Sequence, residues 1–218
     1  MTPPKGRTNN FVVSTPASRN PVSRVLLTLF AGLLIATADA QEVVVSAVRF
    51  NNPRPVAGGA PWLEVDVALK ANPLAAGRMV NRVRVALTLG FELPAAAGFP
   101  RRVEYYRAEA ECVALEPGRS DVRFYLPPEL VKRDQLHGEP RFWVVELAVA
   151  EHPVPTARAN FAAALNNPAA RGEFLAAAAA AVPAQGGLLL PQYLTPFALE
   201  YPRATPSFVR RGALNAHP

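Results

Sequence analysis

Asn81–Leu93 reads N-R-V-R-V-A-L-T-L-G-F-E-L. Val83, Val85, Leu87, Leu89, Phe91 and Leu93 share one parity, and Arg82, Arg84, Ala86, Thr88, Gly90 and Glu92 share the other. Successive side chains of a strand point to opposite faces, so the stretch predicts a long strand with one buried and one wet face. Wound as a helix, it would scatter its apolar residues around the whole circumference.

The neighbouring stretches need such a strand as a partner. Upstream, Glu42–Phe50 is β-branched and reads as a first strand, ended by the turn formers of Asn51–Pro61. Trp62–Lys70 alternates Leu63, Val65, Val67 and Leu69 against Glu64, Asp66 and Lys70, which predicts a second strand with one charged face. Downstream, Pro94–Pro100 is a turn and Arg101–Leu115 a long strand, with a bulge expected near Tyr105-Tyr106 where the apolar parity changes. Arg119–Leu126 sends Val122, Phe124 and Leu126 inward, and Pro127–Asp134 reads as one helical turn started by proline. Pro140–Glu151 is apolar on both parities, as a central strand covered on both sides would be. Strands joined by turns, with no helices of crossover length, predict an all-β fold: an antiparallel β-sandwich of immunoglobulin-like size.

From His152 the composition shifts. Thr156–Leu165 and Pro168–Val182 are alanine-rich and read as helices, the second with Asn167 as N-cap and proline at its first position. Leu188–Tyr201 is apolar and punctuated by proline, and Pro202–Pro218 reads as a disordered tail. The expected organisation is a leader over residues 1–40, a sandwich over 41–151, a helical and proline-rich extension over 152–201, and a tail over 202–218.

The leader has the layout of a secretory signal peptide. Lys5, Arg7, Arg19 and Arg24 precede the apolar run Val25–Ile35, and Ala38-Asp39-Ala40 offers small residues for cleavage before Gln41. The run is shorter than the roughly 20 residues that a spanning helix needs, so no membrane span is expected after cleavage. The expected location is periplasmic or extracellular. Of the formal charge of +6, only +3 remains once the leader is removed. The segment 42–151 balances 14 basic against 14 acidic residues, which argues against a nucleic-acid surface. Cys112 is alone, shares parity with Ala108 and Ala110, and reads as a buried, inert thiol.

Catalytic signatures are missing from the sequence. His137, His152 and His217 have no metal-ligand spacing, there is no G-x-S-x-G, and Gly58-Gly59 lacks a phosphate-loop lysine. No cofactor and no metal site are therefore expected. Glu64/Asp66 and Glu109/Glu111 each share a strand face, about 7 Å apart as i, i+2 neighbours, a spacing that a glycoside hydrolase could use. A solvated face ion-paired to Arg82 and Arg84 is the plainer expectation. Trp62, Tyr106 (or Tyr105), Tyr125 and Phe142 are the candidate binding residues, able to stack on a glycan or anchor a protein unless a second layer covers them. The function expected is a non-enzymatic exported protein that binds another cell-envelope component through its C-terminal extension. A carbohydrate-binding module is the alternative, and a glycoside hydrolase-like enzyme the third reading.

The runs W-L-E-V-D-V-A-L (Trp62–Leu69), V-R-V-A-L-T-L (Val83–Leu89), Y-L-P-P-E-L-V (Tyr125–Val131) and F-W-V-V-E-L (Phe142–Leu147), behind a cleavable leader, give the chain a family likeness. It resembles the small secreted immunoglobulin-like proteins encoded beside type IV pilus machinery in Verrucomicrobia-type bacteria. The resemblance covers about residues 42–151 and implies an envelope or pilus-associated accessory protein without catalysis. It carries over no functional residues, and the chain lacks the Gly-Phe-Thr-Leu-x-Glu region of true pilins.

Overall fold

Val80–Leu93 forms β3, and it pairs on both sides: with Arg102–Leu115 (β4) and with Phe142–Val149 (β6), both antiparallel. His152–Pro153 (β7) completes this second sheet in the order β4-β3-β6-β7. The first sheet runs β1-β2-β5-β8, from Val43–Asn51, Leu63–Ala71, Gly118–Leu126 and Leu190–Pro191. All pairings are antiparallel. The inward parities of the two sheets meet in one core. Val65, Val67 and Phe124 of the first and Val85, Leu87 and Val145 of the second are each 0% exposed. The two-sheet β-sandwich follows from those alternating runs, since each sheet must bury its apolar face against something.

This computed structural model describes residues 42–73, 77–93, 102–136, 138–181 and 187–210. The chain divides into the units Met1–Thr37 and Ala38–Pro218, and every described residue belongs to the second. The expected leader and its cleavage point, the turn at 94–100, His137, and residues 211–218 with His217 lie outside the described residues.

Several expectations hold at the level of elements. Pro128–Arg133 is a short helix, α1, with proline in its first turn, Glu129 early, and Lys132 and Arg133 late. Pro168–Ala181 is the helix α2, and the Ala169 N–H donates to Asn167 Oδ1 at 2.9 Å, as an N-cap requires. Cys112 is 0% exposed, and burial pushes its thiol up to about 12.

Other expectations are corrected. Thr156–Leu165 is not a helix but two 3₁₀ turns, Arg158–Asn160 and Ala163–Leu165. Its backbone is drawn instead to the edge of β6, where the Ala162 N–H donates to Trp143 O and Asn160 Nδ2 donates to Val145 O. Helix propensity loses to that tertiary pairing. Near Tyr105-Tyr106, β4 has no bulge: its register against β3 runs unshifted, from Leu115 opposite Val80 to Arg102 opposite Leu93. Both parities there are apolar because both faces are covered. The irregularity lies in β1, between Val45 and Ala47, where the Ser46 hydroxyl donates to Ala68 O.

The face of β3 expected to be wet is dry in its middle. Arg82 is exposed and Arg84 half-buried, but Ala86 is 5% and Thr88 0% exposed, and Gly90 is buried as well. The cover is α2. Register sets Gly90 between Tyr105 on β4 and Phe142 on β6. The Phe174 ring of α2 drops onto Gly90, with its centroid 5.6 Å from Tyr105 and 5.9 Å from Phe142. A Cβ at position 90 would stand 2.7 Å from Phe174 Cε2, so glycine is what admits the ring. The alanines of α2 contribute little side chain, and Phe174 supplies its main anchor.

Candidate functional site

The outer face of the first sheet carries the densest polar arrangement in the described structure. Antiparallel register sets Glu64 opposite Tyr125, Asp66 opposite Arg123 and Ala68 opposite Asp121, all on the face away from the core. These side chains are buried: Glu64 4%, Asp66 6%, Asp121 5%, Arg123 6% and Tyr125 0% exposed. Glu64 accepts from the Tyr125 hydroxyl at 2.7 Å and from Asn51 Nδ2 at 2.8 Å. Arg123 pairs with Asp121 at 3.2 Å and lies 3.8 Å from Asp66. Arg49 and Arg119 close the network from its rim, at 3.5 Å from Asp66 and 2.9 Å from Asp121.

The electrostatics follow from burial. Desolvation raises the Asp66 carboxyl above its ordinary value, Arg123 pulls the other way, and Asp121 and Glu64 add to the rise. Asp66 Oδ1 accepts no hydrogen bond among the described residues. The Tyr125 hydroxyl is raised too, first by burial and then by its bond to Glu64. A phenol and carboxylate held in this way anchor one strand to the next.

What buries this face is the chain's own C-terminal segment, residues 187–210, which acts as a strap. β8 adds to the edge of β5 through Phe124–Pro191 and Tyr125–Leu190. Phe197, 0% exposed, lies flat on the Tyr125 ring with centroids 4.5 Å apart and planes 7° off parallel. Trp62 meets both rings edge-on. Arg123 donates to Thr205 Oγ1 at 3.1 Å and stacks on Tyr201 at 4.4 Å. Gln192, also 0% exposed, donates to Phe197 O and Glu200 O and so folds the strap onto itself. Farther on, the Val113 N–H donates to Ser207 O and the Val209 N–H to Glu111 O, pairing the strap with the edge of β4. Residues 202–210 of the expected disordered tail are therefore packed.

The four aromatic candidates do not form one open patch. Trp62 and Tyr125 come together, but under Phe197. Tyr106 is 1% exposed, points inward against Phe91, and donates to Asp134 Oδ2 at 2.5 Å. Phe142 lies on the other sheet beneath Phe174. Of the two carboxylate pairs, Glu109/Glu111 lies on an ion-paired face as expected, with Arg82 as one partner, and Glu64/Asp66 does not. Glu64 and Asp66 sit on the first sheet, while Arg82 and Arg84 belong to the second, so that pairing is corrected to Arg123, Arg49 and Tyr125. Of Glu109 and Glu111, Glu109 pairs with Arg107 and Glu111 with Arg82. Sequence reading missed Phe197, Gln192, Tyr201 and Thr205 as partners of this face. One signal was present: Asp121, Arg123 and Tyr125 alternate on the off-core parity of β5, matching Glu64 and Asp66 on β2.

The strap leaves three large apolar side chains open, among exposed polar residues such as Arg203, Ser207 and Arg210. Leu199 is 90%, Leu194 61% and Tyr201 44% exposed. A cavity of about 360 Å³ lies between Tyr193, Leu199, Pro202, Phe208 and Arg210. Among the described residues, no group of three or more His, Cys, Asp or Glu is placed to hold a metal ion. No helix among them is long and apolar enough to cross a membrane.

No protein-family model and no curated protein matches the chain. The fold is similar to a crystal structure from Akkermansia muciniphila, with a TM-score of 0.59 at 14% sequence identity, over 78% of this chain and 93% of that one. At that identity the likeness is one of fold.

Proposed function

We propose that this chain is an exported, non-enzymatic β-sandwich protein of immunoglobulin-like type that binds another cell-envelope or pilus-associated protein. The observation that carries the reading is the set of large apolar side chains that the strap leaves exposed. Leu199, which lines the cavity, and Leu194 and Tyr201 stand open on a segment paired with an edge of each sheet. Exposed apolar groups clustered within a polar surround mark contact with another protein. The strand order β1-β2-β5 against β4-β3-β6-β7 supports the immunoglobulin-like reading. Export rests on the basic leader, its apolar run and Ala38-Asp39-Ala40.

Deleting the extension is a poor test, because Leu189 and Phe197 are buried and their loss would open the sandwich. Surface changes avoid this. The chain, carrying a photo-crosslinker in the strap, is expressed in intact source cells beside a Leu194→Asp/Leu199→Asp variant. Pilus or secretion-envelope components should be enriched with the parent and lost with the variant. Capture that is equal in both, or retention on cell-wall or mucin glycans alone, overturns the reading.

A further inference from the structure

The strap that covers the first sheet also builds a cavity with a chemistry of its own. One wall is aromatic. The Tyr193 and Phe208 rings lie 5.2 Å apart between centroids, tilted 42° to each other, and both are half-buried. They come from distant parts of the strap. Tyr193 follows the pairing of Leu190–Pro191 with β5, and Phe208 forms the bridge to Cys112 on β4. Pairing near both rings sets the wall before a ligand arrives, which lowers the cost of binding. Leu199 and Pro202 add apolar surface, and Glu200, Ser207 and Arg210 add polar side chains. The volume, about 360 Å³, lies in the range of small-molecule sites. We propose that this cavity is a saccharide site that takes a neutral pyranose unit of a glycan. Sugar binding here goes beyond capture of an envelope protein, and either can hold without the other.

The match is one of surface type. A pyranose has an apolar C–H face and a rim of hydroxyl groups that both donate and accept. The aromatic wall receives the face. The side chains beside it complement the rim: Glu200 accepts, Arg210 donates and Ser207 does both. No hydrogen bond or ion pair links these three side chains to another described residue. The charges of Glu200 and Arg210 cancel, which favours a neutral sugar over a uronic, sialic or phosphorylated one. A neighbouring cavity of about 350 Å³ marks the difference. It shares Pro202, Pro206 and Ser207, but its further apolar lining is Met79, Val113 and Pro117, with no aromatic ring. It matches the first cavity in size and lacks the wall that a pyranose face needs. An extended peptide suits the first cavity less well, because strand addition requires open backbone groups. Those nearby are already paired: Ser207 O accepts from the Val113 N–H, the Val209 N–H donates to Glu111 O, and Glu200 O accepts from Gln192 Nε2.

The test titrates the full chain, followed by NMR, with cellobiose, lactose and N,N′-diacetylchitobiose. Galacturonic acid and a proline-rich peptide are the contrasting probes. The proposal expects saturation transfer to at least one neutral disaccharide, with Overhauser contacts from its ring protons to Tyr193 and Phe208. Arg210→Ala and Glu200→Ala, which leave the aromatic wall in place, should each weaken that binding at least about tenfold. Leu194 does not line the cavity, so Leu194→Asp should bind the sugar as the parent does. Intact sugar binding with no protein captured in cells would sink the envelope-protein reading and leave this one standing. Absence of transfer to all three disaccharides at millimolar concentration overturns the proposal. So do contacts mapped to other residues, affinity unchanged in both alanine variants, or tighter binding of galacturonic acid or the peptide.

Discussion

Each sheet of the sandwich has a covered stretch on its outer face, and the two covers are of opposite chemistry. On the second sheet an aromatic ring seals one end of that stretch: Phe174 sits in the notch left by Gly90, between Tyr105 and Phe142. On the first sheet the strap seals a network of Glu64, Asp66, Asp121 and Arg123, with a single stacked ring at Phe197. An apolar cover fails gradually, in proportion to the volume lost. A buried ionic cover fails abruptly, because removing one partner leaves the others charged and dry.

The largest expected effect lies in the ionic cover. Arg123→Ala leaves Asp66 and Asp121 without their buried guanidinium and frees Thr205 and Tyr201. The expected loss is about 3–5 kcal/mol in denaturant unfolding, with the strap loosened. A loss below about 1 kcal/mol would mean that Arg49 and Arg119 suffice, and the contrast between the two covers would vanish.

The apolar cover should respond less and in a coupled way. Gly90→Ala drives a methyl group against the Phe174 ring and should cost about 1–3 kcal/mol. In a Phe174→Ala background the same change should cost much less, because the clash is gone. Additive costs in this double-mutant cycle would show that Gly90 does not act through Phe174.

The smallest effect is in pH dependence. Burial raises Asp66, so the folded chain holds that proton more tightly than the unfolded chain does. Its contribution to stability is fully present below the ordinary value of 3.8 and is lost as pH rises through the raised value. Asp134 behaves oppositely: the Arg133 hydrogen bond, ahead of that from Tyr106, holds it below 3.8, and its contribution fades as pH falls through the lowered value. Unfolding measured from pH 7 down to about 3 should show the advantage of the parent over Asp66→Asn growing with acidity. The advantage over Asp134→Asn should shrink over the same span. Parallel slopes would remove the distinction between the two carboxylates.

The sequence by itself determined the elements and their inward faces. Val83 to Leu93 by twos, Val122 to Leu126 by twos, the proline-started α1 and the Asn167 cap are local patterns, and local patterns survive folding. The pairing of Glu64 and Asp66 with β5 rather than with Arg82 was not legible, because it depends on which sheet β2 joins. Nor was it legible that Thr156–Leu165 would give up helix for the edge of β6, or that residues 202–210 would pack. Those outcomes were decided by long-range pairing, since a strand with charge on its outer parity reads the same whether water or a strap lies above it. Only the tertiary structure brings Phe197 onto Tyr125, and with it turns an apparent solvent face into a buried one.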